Sequence, residues 1–192
     1  SGLPVILLHG WPLSSDSWDD QAMAIADAGY RAIAYDRRSF GRSSQSWDGY
    51  DYDTLSDDLA AVIEHTGAPE VVIAGFSMGG GEVARYMSRH GGKSVVKAAL
   101  ISSVVPFRLK TDDNPSGTEQ EAFDKTAHAI NEDRAKFFTE FFHKFFGVGT
   151  LARPVSSELL EWARYVSMQA SLKATLECLK SFSTTDFRAD LA

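Results

Sequence analysis

Apolar residues fall into short unbroken runs early in the chain, and helical spacing takes over after each run. Leu3 to Leu8 is continuously apolar, which predicts a strand buried on both faces. Trp18, Ala22, Ile25 and Ala26 then recur at helical spacing, with Gly29 near the predicted end. Arg31 to Tyr35 reads as a second strand, and Asp36 to Tyr52 as a long polar loop without periodicity. Thr54-x-x-Asp57 resembles a capping box. It opens a helix whose Leu55, Leu59, Val62 and Ile63 share a face and which stops before Gly67-Ala68-Pro69. Glu70 to Ala74 is a third, β-branched strand, Gly80 to Met87 a helix ending at His90-Gly91-Gly92, and Val95 to Ile101 a fourth strand. This alternation predicts an α/β fold with a mainly parallel sheet flanked by helices.

The texture changes at Val104. Asp112 to Gly117 reads as an exposed turn-rich linker, and helices are expected to fill nearly everything after it. The best marked runs from Glu132 to Phe146, with Asn131 as its N-cap and Gly147 beyond its end. Phe137, Phe141, Phe145 and Phe138, Phe142, Phe146 form two adjacent rows on it. Such a face most often packs a cap against a sheet, and a subset can also line an apolar pocket. Leu159, Ala163 and Val166 mark another helix, and Leu172, Leu176 and Leu179 a third. The expected division is a sheet core over 1–103, an inserted helical cap over 104–183 and a return toward the core over 184–192.

Composition narrows the functional classes. A chain of 192 residues with net charge −7 argues against a nucleic-acid-binding surface and offers no pull toward anionic membranes. No apolar run approaches the length of a bilayer span. Cys178 is the sole cysteine, so neither a disulfide framework nor a cysteine-based metal site is available, and a reducing, cytoplasmic setting fits. No signal peptide is visible, and Ser1-Gly2-Leu3-Pro4 leads straight into a core strand. No P-loop, Rossmann fingerprint or histidine-rich metal motif is present, so no cofactor is expected.

The chemistry concentrates in Gly75-Phe76-Ser77-Met78-Gly79, set between a predicted strand and a predicted helix. That is the context of the G-x-S-x-G nucleophile elbow, in which a tight turn leaves no room for side chains at Gly75 and Gly79 and strains the serine. A serine nucleophile needs oxyanion donors. The N–H of Met78, at a helix N-terminus, is one candidate. The N–H of Trp11, in the His9-Gly10-Trp11-Pro12 loop after the first strand, is the other. A general base is harder to find. His9 belongs to that loop and reads as structural, His65 and His90 sit near helix ends, and His128 and His143 lie in the cap. Asp36, at a strand end, reads equally as an orienting acid or as turn chemistry. Asp19, Asp20, Asp112 and Asp113 read as solvated surface.

Three strings carry a family resemblance: Leu8 to Pro12, Tyr35-Asp36-Arg37-Arg38-Ser39-Phe40-Gly41-Arg42-Ser43, and Gly75 to Tyr86. They resemble the α/β-hydrolase superfamily, and more narrowly its bacterial arylesterase/perhydrolase branch of cofactor-free, non-heme haloperoxidases. Lys110 to Pro115 and Thr185 to Arg188 are similar to the same branch. The resemblance implies a Ser/Asp/His triad with Ser77 as nucleophile and Trp11 and Met78 as backbone oxyanion donors, without metal. It implies small esters or carboxylic acids as substrates, with water or hydrogen peroxide as acyl acceptor, and leaves homo-oligomerisation open. Two departures stand out. Ser39 takes a position where the family usually has glycine, a site that wants positive φ. The family also has further strands before Leu3 and after Ala192, and the later ones carry the triad Asp and His. The chain therefore reads as part of a longer enzyme, with a sheet incomplete at both ends and no triad acid or histidine of its own. Haloperoxidase action as the main role, and a non-catalytic binding scaffold, are the competing expectations.

Overall fold

Residues 2–192 are described by a computed structural model; Ser1 lies outside them. Val5 and Leu7 of strand β1 (Pro4–Leu8) pack on one side of a sheet with Trp18, Ala22 and Ile25. Their neighbours Ile6 and Leu8 pack on the other side with Leu59, Ile63, Val83 and Tyr86. The period-two alternation of a strand thus feeds two cores at once, and that is why β1 is apolar throughout and fully buried.

The remaining strands are β2 (Arg31–Tyr35), β3 (Val71–Phe76) and β4 (Val95–Ile101). All pairings are parallel, in the order β2-β1-β3-β4. The register places Leu8 beside both Tyr35 and Gly75, so the carboxyl ends of three strands converge where the loops are richest in polar residues. Helix α1 (Asp19–Asp27) covers one face of the sheet; α2 (Tyr52–His65) and α3 (Met78–Arg89) cover the other. β4 is an edge strand exposed along most of its length, with Val96, Leu100 and Ile101 each more than two-fifths accessible.

Two helix starts differ from the sequence reading. Asp51, not Thr54, caps α2: its carboxylate accepts from the Thr54 N–H at 2.9 Å and from the Thr54 hydroxyl. The helix begins earlier because Tyr52 itself is buried, in the apolar cluster around Trp11 and Met78. The aromatic helix is also longer than Glu132–Phe146. Helix α4 runs Gln120–Phe145 with a kink at Asp133 (φ −157°, ψ 89°), whose carboxylate accepts from the Lys136 N–H. Asp133 therefore caps the second half, while the Asn131 side chain donates back to the Ala127 carbonyl. Helices α5 (Ser157–Met168) and α6 (Leu172–Thr184) follow, capped by Ser156 and Ser171.

Helices α4 to α6 share one apolar cluster with Trp11, Leu13, Phe40, Tyr50 and Met78. Phe138 and Phe142 are fully buried in it, whereas Phe145, at the end of the row, is half exposed. The aromatic face is thus mainly packing.

Candidate active site

Ser77 is the hinge between β3 and α3, at φ 53° and ψ −114°. Few L-residues adopt a positive φ, and holding one costs on the order of 1–3 kcal/mol. Backbone bonds on both sides fix it: its N–H donates to the Ile101 carbonyl at 2.9 Å, and its own carbonyl accepts from Gly80 and Val104. The glycines around it are sterically required. A Cβ on Gly75 would run into the Gly79 carbonyl, and one on Gly79 would lie 2.5 Å from the Leu8 carbonyl oxygen. The Ser77 side chain is partly accessible, and its hydroxyl makes no hydrogen bond among the described residues.

The loop after β1 lies directly against this turn. A Cβ on Gly10 would sit 3.2 Å from the Ser77 Cβ and 2.7 Å from the Phe76 ring. Only glycine lets the backbone come that close. The Gly10 carbonyl accepts from the Leu13 N–H at 3.1 Å and lies 3.0 Å from His9 Nδ1. Because a peptide N–H points opposite to its C=O, these bonds also aim the Trp11 N–H, which makes no hydrogen bond among the described residues. The Met78 N–H belongs to the first turn of α3, where amides lack intrahelical acceptors and the macrodipole favours negative charge. Gly10 thus brings the loop after β1 against the Ser77 turn, so that two separate stretches of chain meet there.

The Trp11 indole points away from that place, into the helices. It donates to the Thr175 carbonyl at 3.0 Å and meets Phe138, Phe141 and Phe182 edge-on. With Phe137, Phe141, Leu179 and Phe182 it lines a cavity of about 300 Å³. A second apolar cavity, of about 730 Å³, involves Phe76, Ile101, Phe145, Phe146 and Trp162. Ser77 itself lines neither, although its chain neighbour Phe76 lines the second.

No histidine is placed to serve Ser77. His9 is buried; its Nε2 accepts from the Arg37 N–H at 3.0 Å, which leaves the proton on Nδ1. Burial, with the Arg37 guanidinium beside it, pushes the imidazole down to about 3, so it stays neutral. His90 caps α3 with Nε2 2.8 Å from Asp57 Oδ1, and His143 bonds to the Thr139 carbonyl within its own helix. His65 ends α2, and His128 is exposed on α4. Asp36 proves to be a loop staple. Its two oxygens accept from the Ser15 and Arg42 N–H groups, and these bonds overcome its burial to hold the carboxyl below the usual range.

Sequence reasoning missed a buried polar group. Arg37 Nε donates to Glu82 Oε1 at 2.6 Å, and Nη2 donates both to the same oxygen and to the His9 carbonyl at 2.7 Å. Glu82 Oε2 accepts from the Tyr35 hydroxyl, and the Tyr52 hydroxyl donates to the Met78 carbonyl. The available signal was a carboxylate set directly beside the apolar Val83 and Ala84 in a short helix.

The chain belongs to the alpha/beta hydrolase fold family, which matches residues 4–187. Within that family its relatives include non-heme haloperoxidases and esterases, and this kinship supports hydrolase activity. It is 44% identical to a non-heme haloperoxidase of Rhodococcus erythropolis, over 100% of this chain and 70% of that one. It is 43% identical to the bifunctional esterase/perhydrolase DCH of Acinetobacter calcoaceticus, over 96% of this chain and 67% of the relative. The crystal structure of a bromoperoxidase from Bacillus anthracis superposes with a TM-score of 0.95 at 43% identity, covering 100% of this chain and 70% of that one. No helix is long and apolar enough to cross a membrane, and no cluster of three metal-ligating side chains occurs among the described residues.

Proposed function

We propose that this sequence belongs to a serine hydrolase that cleaves small carboxylic esters through an acyl-enzyme at Ser77. The observation that carries the reading is the turn itself: a positive-φ serine at a helix N-terminus, with Gly10, the residue before Trp11, packed against it. Ser77 Oγ attacks the ester carbonyl carbon, and the carbonyl electron pair moves onto oxygen. The N–H groups of Trp11 and Met78 hold that oxyanion, each worth about 2.7–4 kcal/mol in the transition state. Collapse expels the alcohol and leaves the acyl group on Ser77. Water then releases the acid, whereas hydrogen peroxide releases a peracid.

None of the five histidines bonds to Ser77. The reading therefore assigns the general base and its orienting acid to residues outside 1–192. Alone, residues 1–192 keep only what an oxyanion hole and substrate binding supply.

A second reading, haloperoxidase action as the main role, is favoured by the names of the relatives. In it the peracid transfers one oxygen atom to halide, giving hypohalite and returning the carboxylate. Esterase and peroxide assays with a short p-nitrophenyl ester separate the readings. The esterase reading predicts acetyl trapped on Ser77 and lost in Ser77→Ala. Halide oxidation that requires both peroxide and a short carboxylate, at rates exceeding ester hydrolysis, favours the second reading. Ester turnover unchanged in Ser77→Ala would overturn both.

A further inference from the structure

The buried Arg37–Glu82 pair joins the two chain segments that flank Ser77. Glu82 lies on α3 one turn after Met78, and Arg37 follows β2. The guanidinium spans the gap, with Nη2 shared between the Glu82 carboxylate and the carbonyl of His9. The Arg37 backbone N–H holds the ring of the same histidine, whose Nδ1 in turn bonds the Gly10 carbonyl. That carbonyl belongs to the peptide unit that carries the Trp11 N–H. Both charged side chains are 2% exposed.

Stability alone is a poor reason for such a pair. Removing two charges from water costs several kcal/mol per ion, and apolar replacements of similar volume are often neutral or stabilising. What a bidentate guanidinium adds is fixed geometry between a carboxylate and a carbonyl. We propose that Arg37 and Glu82 are positioning residues that clamp the loop bearing the Trp11 N–H to the helix bearing the Met78 N–H, so that the two donors face one oxyanion. The proposal deepens the serine-hydrolase reading and rests on it.

The test is the rate at which a fluorophosphonate labels Ser77, read with the Trp11 amide resonance in a 1H–15N spectrum. Arg37→Lys keeps the charge but cannot reach the carboxylate and the carbonyl with one fork. Arg37→Met with Glu82→Leu removes the clamp and leaves no buried charge. Both are expected to slow labelling by about 10–100-fold and to shift the Trp11 amide, while the proportion of folded protein stays unchanged; misplacement by about 1 Å has that cost. In the unsubstituted protein, phosphonylation of Ser77 is expected to shift the Arg37 Nε–H resonance, a readout that needs no variant to fold. Parental labelling rates with an unmoved Trp11 amide in either folded variant would overturn the clamp, as would an Arg37 resonance indifferent to labelling. Labelling that persists in Ser77→Ala would instead remove the hydrolase reading itself.

Discussion

The hydroxyls of Ser39 and Tyr50 are hydrogen-bonded at 2.8 Å, and Ser39 stands at φ 65° with its side chain wholly buried. The Ser46 N–H donates to the same Ser39 oxygen at 2.7 Å, and the Ser39 carbonyl accepts from the Ser171 N–H. A residue in a conformation that suits glycine thus gathers the loop after β2 and ties it to the start of α6.

Two opposed terms decide what Ser39→Gly does. Relief of left-handed strain returns about 1–2 kcal/mol, partly offset by glycine's extra freedom in the unfolded chain, about 0.5–1 kcal/mol. Against this, the half-buried Ser46 N–H loses its partner, at about 1–3 kcal/mol for an unsatisfied group, while the Tyr50 hydroxyl keeps the Ser46 carbonyl. Ser39→Gly is therefore expected to destabilise by about 1 kcal/mol. Ser39→Ala, which keeps the strain and loses the bonds, should destabilise by about 2–3 kcal/mol. Urea unfolding midpoints check the order; a Ser39→Gly chain more stable than the parent would mean that strain dominates.

Gly79→Ala should be far more costly than Gly149→Ala. The first forces a methyl to 2.5 Å from the Leu8 carbonyl, where both partners are backbone; the second meets nothing within 4 Å and has no positive φ. Overpacking of this kind costs about 1–3 kcal/mol, whereas the open site should stay within about 0.5 kcal/mol. Thermal unfolding of the two variants side by side measures the contrast, and equal losses would contradict the close packing of β1 against α3.

Stability should fall as pH drops from about 6.5 toward 3 through His9. Burial, then Arg37, pushes its folded pKa down to about 3, while the unfolded imidazole titrates near its ordinary value. In that window the unfolded chain binds the extra proton, so acid favours unfolding; the His9 contribution is complete above pH 6.5. Its size is on the order of 5 kcal/mol across the window. Glu82 acts in the opposite sense, because burial raises its carboxyl. Chemical denaturation at pH 7 and pH 5 is expected to show a smaller difference in His9→Gln than in the parent. An equal difference would mean that His9 protonates freely in the folded state.

Local pattern made the sheet legible. Arg31 to Tyr35 and Val95 to Ile101 coincide with β2 and β4, and β1 and β3 begin within a residue of their apolar runs. Glycine spacing likewise made the Ser77 turn legible, because its cause is steric and lies within five residues. Helix starts were less so. Asp51 precedes the apolar period that signals α2, and Phe123, Ala127 and Ile130 extend α4 backwards through a largely polar stretch. The partner of Glu82 could not be read, although its place beside Val83 and Ala84 marked it as a carboxylate in an apolar setting. The contact with Arg37 joins residues 45 positions apart, and the pairing follows from where β2 and α3 meet rather than from any short-range signal.

The most direct test of the account is fluorophosphonate labelling followed by peptide mass analysis, in residues 1–192 and in a chain extended past Ala192 to include a downstream Asp and His. The expected result is a single adduct on the peptide carrying Ser77, abolished by Ser77→Ala and formed much faster in the extended chain. Absence of an adduct on Ser77 in the extended chain, or an adduct on another residue, would contradict it.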